Sequence, residues 1–81
     1  MLAILLIRSA NYIDVERALD QENLSVLLNV PTRPLDGSSL WEQMETHRVL
    51  VLHFPNGRAY ERFVDDLDTP IVTLRTVPAH A

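Results

Sequence analysis

Hydrophobic positions along the chain change their spacing several times, and each change marks an element. Leu2-Ala3-Ile4-Leu5-Leu6-Ile7 is continuously apolar and ends at Arg8. A run this short, followed by a helix-start signal, predicts a strand covered on both faces. Asn11 stands where a helix cap belongs, and Asp14 three residues later is an acidic variant of the capping box. Tyr12, Val15, Ala18 and Leu19 share one face at helical spacing, which predicts a helix from Asn11 to about Glu22. Asn23 suits the left-handed residue that ends it. Leu24 to Val30 then alternates, with Leu24, Val26, Leu28 and Val30 on one face, and Pro31 and Pro34 are expected to stop it. Arg48 to Phe54 predicts a third strand, apolar on both faces. Pro55-Asn56-Gly57 turns the chain into the strongest helical period of the sequence, Ala59, Tyr60, Phe63, Val64 and Leu67. Thr69-Pro70 ends that helix, and the β-branched stretch Ile71 to Val77 predicts a fourth strand. The last residues, 78–81, read as a frayed tail. The longest connection, Thr32 to His47, holds a capping box at Ser39 and Glu42, so Leu40 to about Glu45 is expected to form a short helix presenting Trp41 and Met44.

The order β-α-β-loop-β-α-β in 81 residues predicts one α+β domain of the ferredoxin-like type. Its four-stranded antiparallel sheet would have strand order 4-1-3-2 and both helices on one face. A full crossover at 40–45 would instead give alternating strands and helices and a parallel sheet. Two good helices and one short one cover both faces of such a sheet poorly.

The other face of a ferredoxin-like sheet carries no helix, and here it cannot be polar. The first strand presents either Leu2, Ile4 and Leu6 or Ala3, Leu5 and Ile7. The third presents either Val49 and Val51 or Leu50, Leu52 and Phe54. Covering four such side chains at ~1.5–3 kcal/mol each is comparable with the whole stability of a domain. The expectation is a homodimer with two-fold symmetry, packed through the open sheet face.

Composition narrows the chemistry. The net charge is −4, all seven basic residues are Arg, and there is no Cys and only two Gly. These values argue against nonspecific nucleic-acid or membrane binding, a disulfide scaffold, zinc–thiolate sites, a Cys nucleophile and phosphate-cradling loops. The first apolar run is too short for a membrane span or a secretory core, so the expected location is the cytoplasm. No cofactor is expected. A metal site is not expected either: His47 and His53 share strand parity but stand ~20 Å apart along an extended chain. Asp65, Asp66 and Asp68 oppose the dipole of the second helix, which predicts a solvated or Arg-paired cluster.

The stretch from Arg48 to Val64, RVLVLHFPNGRAYERFV, is a strand ending in an aromatic, a turn, and a helix with an aromatic on its inner side. It resembles the third strand and second helix of the dimeric α+β barrel superfamily, including antibiotic-biosynthesis-monooxygenase-like and other small barrel proteins. The resemblance covers this segment, and elsewhere only element order agrees. It implies two chains packed sheet to sheet around a cavity for an apolar or aromatic small molecule. It also implies a cofactor-independent oxygenase or isomerase as one activity. The alternative is a noncatalytic interaction or ligand-sensing module that uses the apolar sheet face for assembly.

Candidate chemistry collects at strand ends. The first and third strands, adjacent in the order 4-1-3-2, are expected to run the same way, so that Arg8 and His53, if both face away from the helices, meet at one mouth of the cavity. Arg8 would hold an oxyanion or carboxylate and His53 would move a proton, which makes them the candidate catalytic pair. Arg75 on the fourth strand, Asn29 on the second and Trp41 on the long connection are candidate ligand contacts.

Overall fold

The computed structural model describes residues 1–32 and 47–78. Strand β1 (Leu2–Arg8) leads through a 3-10 turn (Ser9–Asn11) into helix α1 (Tyr12–Gln21). Strands β2 (Val26–Thr32) and β3 (His47–His53), helix α2 (Gly57–Asp66) and strand β4 (Val72–Val77) follow. The four strands form one sheet in the order β2-β3-β1-β4, the expected 4-1-3-2 read from the other edge. Every pairing is antiparallel, including β2 with β3, which rules out the parallel alternative. The fold is α+β and ferredoxin-like.

Side-chain alternation assigns the faces. Ala3, Leu5 and Ile7 of β1, with Leu50 and Leu52 of β3 and Phe54 just beyond it, are buried beneath Val15, Ala18 and Leu19 of α1 and Ala59 and Phe63 of α2. Both helices therefore lie on one face. Phe54 anchors this core, with ring centroids 5.5 Å from Tyr60 and 5.4 Å from Phe63. The Tyr60 hydroxyl lies 2.6 Å from Thr73 Oγ1 and ties α2 to β4. At the N-terminus of α2, Asn56 Oδ1 accepts from the Ala59 amide at 2.9 Å, satisfying one of the free amides of the first turn.

Several local expectations are corrected. Asn11 does not cap α1, since its backbone is helical and its side chain makes no capping bond. A 3-10 turn occupies the start of the helix instead. Asp14 has a different task, described below. Pro31 sits inside β2, opposite Arg48. It is tolerated because β2 is an edge strand, where a missing amide leaves no ladder bond unmade. The single face assigned to Leu24, Val26, Leu28 and Val30 is broken by a register shift between Val26 and Leu28. Leu24 and Val26 pack against the core, whereas Leu28 and Val30 pair with Val51 and Val49 on the opposite face. One extra residue in a strand reverses every side chain beyond it. Asn23 is left-handed at φ 56°, as its place after α1 predicts. The helix expected at 40–45, with Trp41 and Met44, lies outside the described residues.

Candidate functional site

The face of the sheet away from the helices is apolar through its middle. Leu2, Ile4 and Leu6 of β1 stand opposite His53, Val51 and Val49 of β3. Leu28 and Val30 extend the field on β2, and Val77 and Val72 extend it on β4. Leu28 and Val72 are 51% and 54% exposed. The field has a polar rim. Arg8 and His47, register partners, close one end. His53 stands at the other end, and Arg75 lies along β4 opposite Ile4.

The antiparallel register separates the pair expected to do chemistry. Arg8 faces His47, and His53 faces Leu2. Arg8 and His53 share a face but lie at opposite ends of it, ~20 Å apart along the strands. The expectation that β1 and β3 run the same way fails for a simple topological reason. The chain returns from β2 to β3 as an antiparallel neighbour, so β3 must oppose β1, which is parallel to β2 by its helical crossover. Asn29 is also displaced. It pairs with Leu50, on the helix-covered side, and its Oδ1 is buried with no hydrogen-bond partner among the described residues. Arg75 is exposed on the open face but midway along β4, and Trp41 lies outside the described residues. Of the four candidates among the described residues, the structure brings none to another.

Sequence reasoning missed His47 as a neighbour of Arg8. The signal was present in the hairpin-like order of β2 and β3, which fixes β3 antiparallel to β1. Together Arg8 and His47 line a small cavity of about 180 Å³ with Leu6, Ile7, Pro70, Ile71 and Val72. At the far end His53 borders a broad, open groove of about 600 Å³ beside Glu22, Asn23, Leu24, Ser25, Leu27 and Pro55.

Charge is sorted by layer. Among the described residues the carboxylates are Asp14, Glu16, Asp20 and Glu22 on and after α1, and Glu61, Asp65, Asp66 and Asp68 on and after α2. The strands carry Arg8, Arg48, Arg75, His47 and His53 and no carboxylate. The acidic layer is itself organised. Arg17 binds Asp14 Oδ1 at 2.6 Å and donates to the Asp66 carbonyl at 2.6 Å. Its guanidinium also stands 3.6 Å from the Asp66 carboxylate and 3.7 Å from that of Asp68. Of the cluster expected to be solvated or Arg-paired, Asp66 and Asp68 are thus paired with Arg17, which offsets the unfavourable helix dipole. Asp14 Oδ2 accepts from the amides of Asp68 and Thr69 and from the Thr69 hydroxyl at 2.8, 3.1 and 3.0 Å. Burial would raise the Asp14 carboxyl, but the Arg17 guanidinium and these donors outweigh it and hold the group below its ordinary value.

Among the described residues there is no group of three or more His, Cys, Asp or Glu side chains placed to hold a metal ion, and no helix is long and apolar enough to cross a membrane. No family model, no curated protein and no solved structure matches the chain.

Proposed function

We propose that two copies of this chain pack sheet to sheet, in the manner of the dimeric α+β barrel proteins, and enclose an apolar or aromatic small molecule between them. The observation that carries this reading is the open face of β2, β3, β1 and β4, apolar through its middle and left uncovered by either helix. Four strands ~4.8 Å apart, with seven residues rising ~3.3 Å each, make a face of roughly 400 Å². Two such faces bury about 800 Å² in projection before side-chain relief is counted, approaching the ~1,200 Å² at which specific interfaces begin. A second copy suits the charge pattern as well. Pairing the sheets leaves the acidic helix layers outward, where net charge keeps an assembly dispersed.

The reading is one of binding rather than turnover. Arg8 and His53 stand at opposite ends of the strands, so the proton transfer expected of that pair has no geometry in one chain. This favours a ligand-binding or sensing module over an oxygenase or isomerase. Light scattering on the purified chain tests the assembly. The expected mass is about twice that of the 9.2 kDa chain, and a single-chain mass at high concentration rejects the dimer.

A further inference from the structure

We infer that the end of the sheet formed by Arg8 and His47 is a binding site for the carboxylate of a small, compact apolar acid. The two residues are direct register partners on neighbouring antiparallel strands, which sets their Cα atoms ~4.5–5.5 Å apart. Both fall on the strand parity of Leu6 and Val49, on the open face. The cavity they line has a cationic end and an apolar body, made by Leu6 of β1 and by Pro70, Ile71 and Val72 where the chain enters β4. Its volume of about 180 Å³ lies below the ~300–1,000 Å³ of pockets for drug-sized ligands. It suits a single ring or a branched aliphatic group carrying one acidic head.

The charge of the site selects the head. A guanidinium presents donors in a fork that matches a carboxylate, and it stays charged at any physiological pH. The imidazole of His47 adds an N–H donor whether neutral or protonated. Among the described residues no strand supplies a competing carboxylate. The described carboxylates lie on and after the helices, and Asp14, Asp66 and Asp68 among them are paired with Arg17. An acidic head gains a charge-assisted contact with the exposed Arg8 guanidinium, which a neutral ligand of the same shape does not.

This inference names the charge and size of the ligand. It rests on the ligand-binding reading but not on the second copy, since every residue of the site comes from one chain. Benzoate is the probe, with benzamide as its neutral counterpart of the same shape. Two-dimensional NMR of the full chain is expected to show saturable shifts at Ile71, Val72 and His47 with benzoate. Benzamide is expected to bind at least tenfold more weakly. Arg8→Gln, an exposed substitution, is expected to weaken benzoate at least tenfold while leaving benzamide unchanged, and His47→Gln is expected to weaken it less. The inference is overturned if no saturable shift occurs, if benzamide binds as well as benzoate, or if Arg8→Gln and His47→Gln both bind benzoate as the parent does. A double-chain mass without benzoate binding keeps the dimer and discards the site. Benzoate binding by a single-chain species keeps the site and discards the dimer.

Discussion

The two faces of the sheet are built from the same strands and nearly the same residues, yet they live in different surroundings. On β1, Ala3, Leu5 and Ile7 are buried under the helices while Leu2, Ile4 and Leu6 face away. On β3, Leu50 and Leu52 are buried and Val49 and Val51 are partly exposed. Covered and open faces are both aliphatic, so hydrophobicity alone does not distinguish them. What distinguishes them is the charge around each. The covered face lies beneath a layer that holds the described carboxylates, while the open face is rimmed by Arg8, His47, His53 and Arg75. A strand that is apolar at every position carries two demands for cover, and the helices of one chain meet only the first.

The sharpest way to break this comparison uses adjacent residues of β3. Leu52→Glu places a carboxylate in the helix-covered core, where nothing pairs with it, and is expected to abolish folding. Val51→Glu places the same group on the open face and is expected to leave a folded chain with native circular dichroism but a single-chain mass. If Val51→Glu also unfolds the protein, the open face is needed for the fold itself. If it leaves a double-chain mass, that face is not the interface. Phe63→Ala follows in size. Phe63 is fully buried against Phe54, and its truncation is expected to cost about 3–5 kcal/mol, enough to unfold so small a domain. A melting temperature within a few degrees of the parent would overturn the packing described for α2.

How much of this was legible in the sequence depends on which interactions are local. The elements, their order and the antiparallel sheet follow from periods of two and 3.6 and from turn residues, all short-range signals. The buried set Val15, Ala18, Leu19, Ala59 and Phe63 was legible for the same reason. The face of β2 was not, because the register shift between Val26 and Leu28 leaves the residue pattern unchanged. The place of Pro31 was not, because tolerance depends on β2 being an edge. The candidate site failed on strand direction. Arg8 and His53 share a face, but the antiparallel pairing of β1 with β3 sets them at opposite ends and puts His47 beside Arg8. The role of Asp14 was also hidden. Its partners Asp68 and Thr69 lie more than fifty residues away, and no local pattern announces them.

Asp14 gives the next prediction, confined to the covered side of the molecule. Asp14→Ala removes the acceptor for two backbone amides, a hydroxyl and Arg17. The cost is expected to be about 1–3 kcal/mol, the range for stranding polar partners. Because the native carboxyl titrates below its ordinary value of 3.8, its contribution is fully present above that pH. It is lost as pH falls through the lower native value, since the unfolded state then binds the proton more readily. The parent should therefore lose melting temperature below about pH 4 more steeply than Asp14→Ala does. Parallel acid profiles of the two proteins would show the Asp14 contacts to be unimportant to stability.

The smallest effect belongs to Asn29, where the covered face departs from its own rule. Asn29 points to the helix side of β2, opposite Leu50, and its Oδ1 is buried without a partner among the described residues. A stranded acceptor carries its desolvation cost with no bond in return, and an apolar side chain of the same shape removes that cost. Leu is nearly isosteric with Asn, so Asn29→Leu is expected to stabilise the chain by ~1 kcal/mol. In a domain of this size that raises the melting temperature by about 4–8 °C. The same variant should bind benzoate as the parent does, because Asn29 lies across the sheet from Arg8 and His47. A lower melting temperature would mean that Oδ1 has a hydrogen-bond partner in solution. An unchanged melting temperature together with weakened benzoate binding would return Asn29 to the ligand site, and the two faces of the sheet would then be coupled through β2 rather than independent.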